Sequence, residues 1–525
     1  MARLHEYQGK AILRQFGIRT PKGGVASTPD EAHALAAEIG APVVAPGTMP
    51  LVIKAQAWTT SRAGQKLIQF AENAEGAAEI ARDLLGRQVG NFRVEQVMVE
   101  EVIPIAREFY LGVIIDDAAR APLVIFSSRG GSGFEEIAQT HPEAVARHAV
   151  DIRVGLREFE ARELTRQTGI EGKLLTQLGS LLPKFYAAAR AYEARSAEIN
   201  PLALTESGDL IALDARFTVD DYAVYRHPDL GIDIAREFDR PPSELEKIAW
   251  AVEKHDYRGT FYFIQMERDF RKGERVIGFH GAGGGGSMMN MDALFARGFK
   301  VADFVDTSGN PPASKVYRAA RIILSQRGID GYYAGGSGVA SQEQFNTARG
   351  LVKAFIDDQL NVPAVIRVGG NLEAEAIAIL QRANGAFPAP VEAYGRDATP
   401  DACVERLEAL VDAYIPTFEI PVREIFNPVE PYSFDTVTGG TITYDHALCR
   451  DCESKACVTT CVPQILSLEN GVPVLNISRE DAKRGGCVEC LACEVECYFL
   501  GNRGGRIFLP IEGLNRYRDE HGDSD

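Results

Sequence analysis

The chain has 525 residues, 45% of them hydrophobic, and a formal net charge of −17. That length gives two to four domains with apolar content for several cores, and the acidic balance, with no basic stripe, excludes a partner bound by phosphate neutralisation such as nucleic acid. No apolar run is long enough to span a bilayer and Met1–Tyr7 lacks the apolar stretch of a secretory signal, so the expected location is cytoplasmic.

The first segment, residues 1–238, alternates strand-like and helix-like runs. Leu51–Ala55, Gln96–Glu101, Phe109–Ile115 and Leu123–Phe126 read as strands, and Pro29–Ile39 and Gly172–Tyr192 as helices. Pro241 and Pro242 then open into a helix at Ser243. Across residues 239–415 the alternation becomes regular. Strands are expected at Arg275–His280, Val301–Asp306, Asp330–Ala334 and Pro363–Val368. Helices are expected at Met288–Arg297, Ser314–Gln326, Gln342–Gln359, Glu373–Ala383 and Thr399–Ala413. Such βα alternation predicts a doubly wound, flavodoxin-like parallel sheet, so the fold class is α/β. Ile415–Ser433 reads as a linker into a third segment, 416–525, that ends in the acidic stretch Asp519–Asp525.

Eight of the nine cysteines lie in that third segment, as Cys449-x2-Cys452-x4-Cys457-x3-Cys461 and Cys487-x2-Cys490-x2-Cys493-x3-Cys497. This is ligand spacing for two [4Fe–4S] clusters, the fourth cysteine of each run serving the other cluster. One would take Cys449, Cys452, Cys457 and Cys497, and the other Cys461, Cys487, Cys490 and Cys493. Structural zinc also uses C-x2-C pairs, but does not usually need a third cysteine so close behind each pair. The run departs from the usual ferredoxin pattern in its four-residue gap before Cys457 and in Val462, which separates Cys461 from Pro463. Ligands of this kind suit a reducing compartment. Cys403, on a predicted helix, reads as an ordinary buried thiol.

The opening Leu4-His5-Glu6-Tyr7-Gln8-x-Lys10 resembles the start of the succinyl-CoA synthetase β subunit, an ATP-grasp protein. The likeness continues through Glu100, Ile105–Gly112, Glu171–Leu174, Glu198-Ile-Asn-Pro-Leu202, Ala212-Leu-Asp214 and Tyr225–Asp229, and covers roughly residues 1–415. The resemblance implies ATP or GTP as phosphoryl donor, Lys54 against phosphate oxygens, and Glu100 and Glu108 lining the nucleotide cleft. It implies Asn200 and Asp214 as Mg2+ ligands, a cation that takes hard oxygen donors. Glu198 matches a catalytic carboxylate facing the phosphohistidine of a separate α subunit, which also makes most contacts to the substrate CoA. A hetero-oligomer with such a chain is therefore expected. The family's glycine- and basic-rich phosphate loop is replaced by Ala55–Gly64, where Thr59, Thr60, Ser61 and Arg62 are the polar side chains available to meet phosphate.

His280-Gly-Ala-Gly-Gly-Gly-Gly286 formally fits a dinucleotide fingerprint, with Asp306 about twenty residues on. It better matches the family's Asn-Gly-Ala-Gly substrate loop, with His280 in place of the asparagine. His280 is thus a candidate for substrate binding and catalysis. Gly335-Gly336-Ser337-Gly338 matches the loop whose helix N-terminus faces the phosphohistidine, making Gly336, Ser337 and Gly338 substrate-site candidates. Residues Cys449–Arg518 resemble the small ferredoxin-like protein that accompanies electron-transfer-flavoprotein quinone oxidoreductases. The likeness rests on Cys452-Glu-Ser-Lys-Ala-Cys457, Gly486–Cys493 and Arg503-Gly-Gly505. It implies a small α+β dicluster domain and a flavoprotein or ferredoxin as electron partner. Two functions follow from the two likenesses. One is a nucleoside-diphosphate-forming acyl-CoA ligase tied to an electron-transfer system. The other is an ATP-driven redox protein that uses the ligase fold to move electrons.

Overall fold

The computed structural model describes residues 2–40, 50–57, 64–131, 134–232, 240–254, 261–415 and 425–521. The chain forms two compact units, Met1–Pro241 and Pro242–Asp525. The first boundary falls three residues from the expected one. The second expected boundary, at 415/416, separates no third body, because the cysteine-rich segment belongs to the second unit.

In the first unit, helix α1 (Glu6–Gln15) precedes strand β1 (Gly23–Ala26) and helix α2 (Pro29–Ile39). Thr28 starts α2 by accepting the Glu31 N–H, with Pro29 at the first helical position, where its missing N–H costs nothing. Strands β2 (Leu51–Ala55), β3 (Ile68–Ala71) and β4 (Val97–Glu101) complete an antiparallel sheet of order β1-β4-β2-β3. A second antiparallel sheet is built around β5 (Ile105–Asp116), β6 (Ala121–Ser127), β7 (Ala194–Thr205), β8 (Leu210–Ala212) and β9 (Arg216–Val219), with central order β9-β7-β5-β6 and β8 paired to β7. Period-two alternation decides which side chains leave its core. Ala197 and Ile199 of β7 and Phe109, Leu111 and Val113 of β5 are buried together. Glu198, Asn200 and Glu108 therefore lie on the opposite face.

The second unit opens with a helix, Glu244–Lys254, close to the start expected at Ser243, followed by strand β10 (Tyr262–Gln265), β11 (Val276–Ala282), helix α3 (Gly284–Ala296), β12 (Asp303–Asp306), helix α4 (Ala313–Ile323) and β13 (Gly331–Gly336). Helix α5 (Phe345–Asp358), β14 (Ala364–Arg367), α6 (Glu373–Ala383), β15 (Val391–Tyr394) and α7 (Pro400–Ala413) follow. The order β10-β12-β11-β13-β14-β15 is parallel except at the edge, where β10 runs antiparallel to β12. The expected all-parallel sheet is corrected to that extent, and β15 and β10 are additions to the expected strands. The strand expected over Val301–Asp306 breaks at Ala302 into a short piece beside β11 and β12 itself.

Of the expected linker, residues 416–424 lie outside the described residues. The C-terminal segment carries a three-stranded antiparallel sheet, β16 (Pro431–Asp435), β17 (Thr441–Asp445) and β18 (Gly505–Phe508), with helix α8 (Ala492–Leu500) packed on β18. Its apolar residues Phe434, Ile442, Val495, Ile507 and Leu514 join one continuous core with Phe355, Leu380 and Val391 of the doubly wound sheet and its helices. Asp519 and Glu520, expected in a solvated tail, close a short helix, Leu514–Glu520, whose Arg518 is paired to Asp358 at 2.6 Å. Among the described residues no helix is long and apolar enough to cross a membrane.

Candidate functional site

Two lysines and two glutamates meet in the first unit. Lys54 of β2 lies 2.9 Å from both Glu6 and Glu100 and donates to the Leu213 carbonyl at 2.8 Å. Lys10 of α1 contacts the same carboxylates at 2.8 and 2.7 Å. Burial alone would lower the Lys54 ammonium, but Glu6, Glu100 and Asp214 outweigh it and raise its pKa. For Lys10 burial wins and its pKa falls. The expectation for Glu100 is corrected. It is 2% exposed, with both oxygens engaged by lysines, so it orients Lys54 instead of lining a cleft. Lys54 is held by these contacts, with its charge fixed next to Asp214.

Glu108 and Asn200 are joined by Gly131, which the sequence reading does not single out. The Gly131 N–H donates to Asn200 Oδ1 at 2.9 Å, and a Cβ on Gly131 would stand 2.7 Å from Glu108 Oε2. Its φ of +100° suits glycine alone. Only the glycine pair Gly130-Gly131 just after β6 hints at this role. The Asn200 amide oxygen keeps a second lone pair, and Asp214 sits just beyond β8 with its carboxylate 4.0 Å from Arg216 Nε. Oxygen donors of this kind fit Mg2+. Glu198, half-buried, shares the Asn200 face and stands in register with Gly112 and Arg216. Arg62, with Thr59, Thr60 and Ser61, lies outside the described residues.

In the second unit a cavity of about 170 Å³ opens at the carboxyl ends of β11, β13 and β14, where open α/β sheets bind ligands. His280, Gly336, Ser337 and Gly338 all line it, with Thr307 and the start of α5 at Gln344 and Thr347. Helix α3 begins at Gly284, four residues before the expected Met288, so the glycine run is largely a helix N-terminus. A Cβ at Gly286 would collide with the backbone N of Ser337, so this glycine lets the two loops touch. Asn290 donates to the Gly286 carbonyl at 2.6 Å and Arg367 to the Gly336 carbonyl at 2.7 Å, which fixes both loops. Asp306, the acidic residue of the dinucleotide pattern, accepts from the backbone of Gly283 and Ser308 at 2.9 and 2.7 Å. Its carboxylate thus shapes the loop.

His280 is 3% exposed, with Nδ1 2.7 Å from the Tyr332 hydroxyl and Nε2 3.4 Å from Thr307 Oγ1. Burial pushes its pKa down to about 3, so the ring is neutral near pH 7 and acts as donor and acceptor without charge.

The eight C-terminal cysteines are free of disulfides and gather in two groups. Cys497 has Cys452 as a close neighbour, and Cys449 and Cys457 each have Cys497 and Cys452. Cys461, Cys487 and Cys493 each have Cys490. Cys461, Cys487, Cys490 and Cys493 wall one small cavity with Phe434, Ile442 and Ile507. The groups adjoin, since Cys457 also neighbours Cys493. Burial, reinforced by neighbouring cysteines, pushes the Cys449, Cys457 and Cys487 thiols up to about 12. Cys403 is apart from them, on the buried face of α7 that packs against the sheet, with its thiol raised to about 11 by burial.

Two antiparallel sheets with a buried lysine beside carboxylate oxygens, and a doubly wound unit with paired glycine loops, fit an acid–thiol ligase built on the ATP-grasp fold. Residues 3–204 match the ATP-grasp domain family. The β subunit of the GDP-forming succinate–CoA ligase of Thermus thermophilus is 35% identical over 378 residues, 72% of this chain and 93% of its own. The ADP-forming counterpart of Methanothermobacter thermautotrophicus is 35% identical over 392 residues, 74% and 96% of the two chains. The chain belongs to the succinate–CoA ligase β-subunit family. An ATP citrate lyase from Methanothrix soehngenii, solved with citrate and coenzyme A, shares the fold with a TM-score of 0.64 at 18% identity, over 78% of this chain and 99% of that one.

Proposed function

We propose that this chain is the β-type subunit of a nucleoside-diphosphate-forming acyl-CoA ligase with a built-in dicluster ferredoxin domain that ties the ligase to an electron-transfer system. The first unit binds Mg2+-ATP or -GTP, with Asn200 and Asp214 as the metal ligands, Glu108 beside them, and Lys54 supplying positive charge. When bound, Mg2+ screens the phosphate charge. The carboxylic acid occupies the cavity floored by His280 and walled by Gly336, Ser337 and Gly338. It is activated as an acyl phosphate and captured by the CoA thiol, with an α-type partner chain supplying most CoA contacts and a phosphohistidine that Glu198 faces.

The iron–sulfur assignment rests on the grouping of the eight cysteines into Cys449, Cys452, Cys457 and Cys497 against Cys461, Cys487, Cys490 and Cys493. Zinc would demand four sulfurs about 3.8 Å apart, given a Zn–S bond of about 2.3 Å. Among the described residues no three cysteine sulfurs lie within 4.8 Å of one another. That spacing favours a larger inorganic core, for which buried thiolate ligands are suited. When present, such clusters carry single electrons to and from a flavoprotein or ferredoxin.

The sharing of one core by the cysteine segment and the ligase sheet favours a second reading, in which nucleotide turnover drives electron transfer. Anaerobic assay with copurifying partners separates the two. ADP formation that needs CoA and one carboxylic acid, whatever the reductant, supports the ligase. ADP formation that needs a reduced low-potential donor and ignores CoA overturns it.

A further inference from the structure

We propose that Arg349 donates its guanidinium N–H groups to the cluster held by Cys461, Cys487, Cys490 and Cys493, and thereby raises the reduction potential of that cluster. The inference rests on the reading of those cysteines as iron–sulfur ligands. It starts from an anomaly in the ligase half of the unit. Arg349 lies on α5 and is 9% exposed, and its Nε and Nη1 are buried without an acceptor among the described residues. The guanidinium stacks over the Phe345 ring at 4.6 Å. A buried cation with unmet donors is costly unless an anion faces it.

The direction in which Arg349 points is fixed by its neighbour one turn on. Lys353, on the same face of α5, pairs with Glu494 at 3.0 Å, and Glu494 directly follows Cys493 on α8. The nearby Glu496 is not the missing acceptor, since it takes a two-pronged pair from Arg382 at 2.8 and 2.9 Å. Cys490 and Cys493 are the remaining neighbours of Arg349 that could face it as anions, Arg382 being a second cation. Thiolates and inorganic sulfides of a cluster there would supply the acceptors. A positive charge and hydrogen bonds at cluster sulfur favour the reduced, more negative state. The opposite face of α5, with Thr347 and Leu351, lines the ligase cavity. One helix therefore carries both the wall of the acyl site and the charge at the cluster.

The test is an EPR-monitored redox titration of the full chain, purified anaerobically, with iron and sulfide counted first. About eight irons per chain are expected in the wild type. With that loading kept, Arg349→Gln lowers one of the two midpoints by at least a tenfold change in the reduction equilibrium, about 59 mV for one electron, and Arg349→Lys recovers part of it. Both midpoints unchanged in Arg349→Gln overturns the inference. Should Arg349→Gln fail to load, wild type carrying guanidino-15N arginine is read by pulsed EPR. A nitrogen coupling on one reduced cluster that Arg349→Lys removes supports the inference, and its absence from the wild type overturns it. Wild type without iron overturns the cluster reading itself, before any variant is made.

Discussion

Lys353 and Glu494 form an ion pair at 3.0 Å in which the lysine side chain is wholly buried and the glutamate 2% exposed. Asp357 adds a second carboxylate to Lys353 at 2.7 Å, and Glu494 accepts the Ile507 N–H at 2.6 Å. The charges are thus mutually satisfied at a contact between the ligase helix α5 and the cysteine-bearing helix α8. Breaking one side leaves a buried charge uncompensated, whereas replacing both with matched apolar groups need not destabilise.

Lys353→Met is accordingly expected to cost about 3–5 kcal/mol, and Lys353→Met/Glu494→Leu to recover much of it. Urea unfolding of the full chain followed by circular dichroism checks this. Equal losses in the single and double variants would show that an uncompensated Glu494 charge is not what the single variant suffers from.

The Mg2+ site proposed at Asn200 and Asp214 predicts a kinetic loss. Asp214→Asn would remove its charged ligand, and since metal stabilisation of phosphoryl transfer is worth several kcal/mol, turnover should fall ~100-fold. Gly131→Ala should lower turnover by ~10-fold, because its Cβ meets Glu108 at 2.7 Å and its φ is +100°. Initial rates of ADP formation against Mg2+ concentration separate the two. Asp214→Asn should raise the Mg2+ requirement, and wild-type behaviour would remove Asp214 from the metal site.

His280 gives a pH signature. Its folded pKa, about 3, lies below the ordinary value of 6.5, so the unfolded chain takes up the proton first as pH falls. The neutral-ring contribution is complete above pH 6.5 and is lost on acidification toward pH 3, by up to about 1.4 kcal/mol per pH unit. His280→Asn should flatten the slope of stability against pH between 6 and 4 by that amount. Identical slopes in wild type and variant would place a solvated ring at this position.

The cysteine groups predict a cross-over in metal content. Cys461→Ser should remove the cluster of Cys487, Cys490 and Cys493 while sparing that of Cys449, Cys452 and Cys457, although Cys461 belongs to the first run in sequence. Iron counting with EPR should show a loss of about four irons and one signal. Loss of the first cluster alone would reverse the assignment.

Local signals made much of this fold legible. The bounds of α2 follow from Thr28 and Pro29, and the bounds of β2 from five apolar or stem-buried residues in a row. The edge strand β10 was not legible, because direction in a sheet is a tertiary property that four residues do not encode. The place of Lys54 on its strand was legible, but the surroundings of Glu100 were not, because its pairing with Lys10 joins residues ninety positions apart. Gly131 and Arg349 escaped for the same reason. A glycine after a strand and an arginine within an amphipathic helix are ordinary until folding brings Asn200 to one and Cys490 near the other.

The continuous core that runs from Phe355 and Val391 to Ile442 and Val495 has a consequence for supply. Cysteine ligands that order only around their metal make metal binding part of folding free energy. On the proposed cluster reading, that free energy is shared with the sheet that carries the His280 cavity. Iron starvation or oxygen exposure would then be felt first as an unstable ligase. The amount of working ligase in the cell would thus follow its iron–sulfur assembly capacity, with no regulator needed to couple the two.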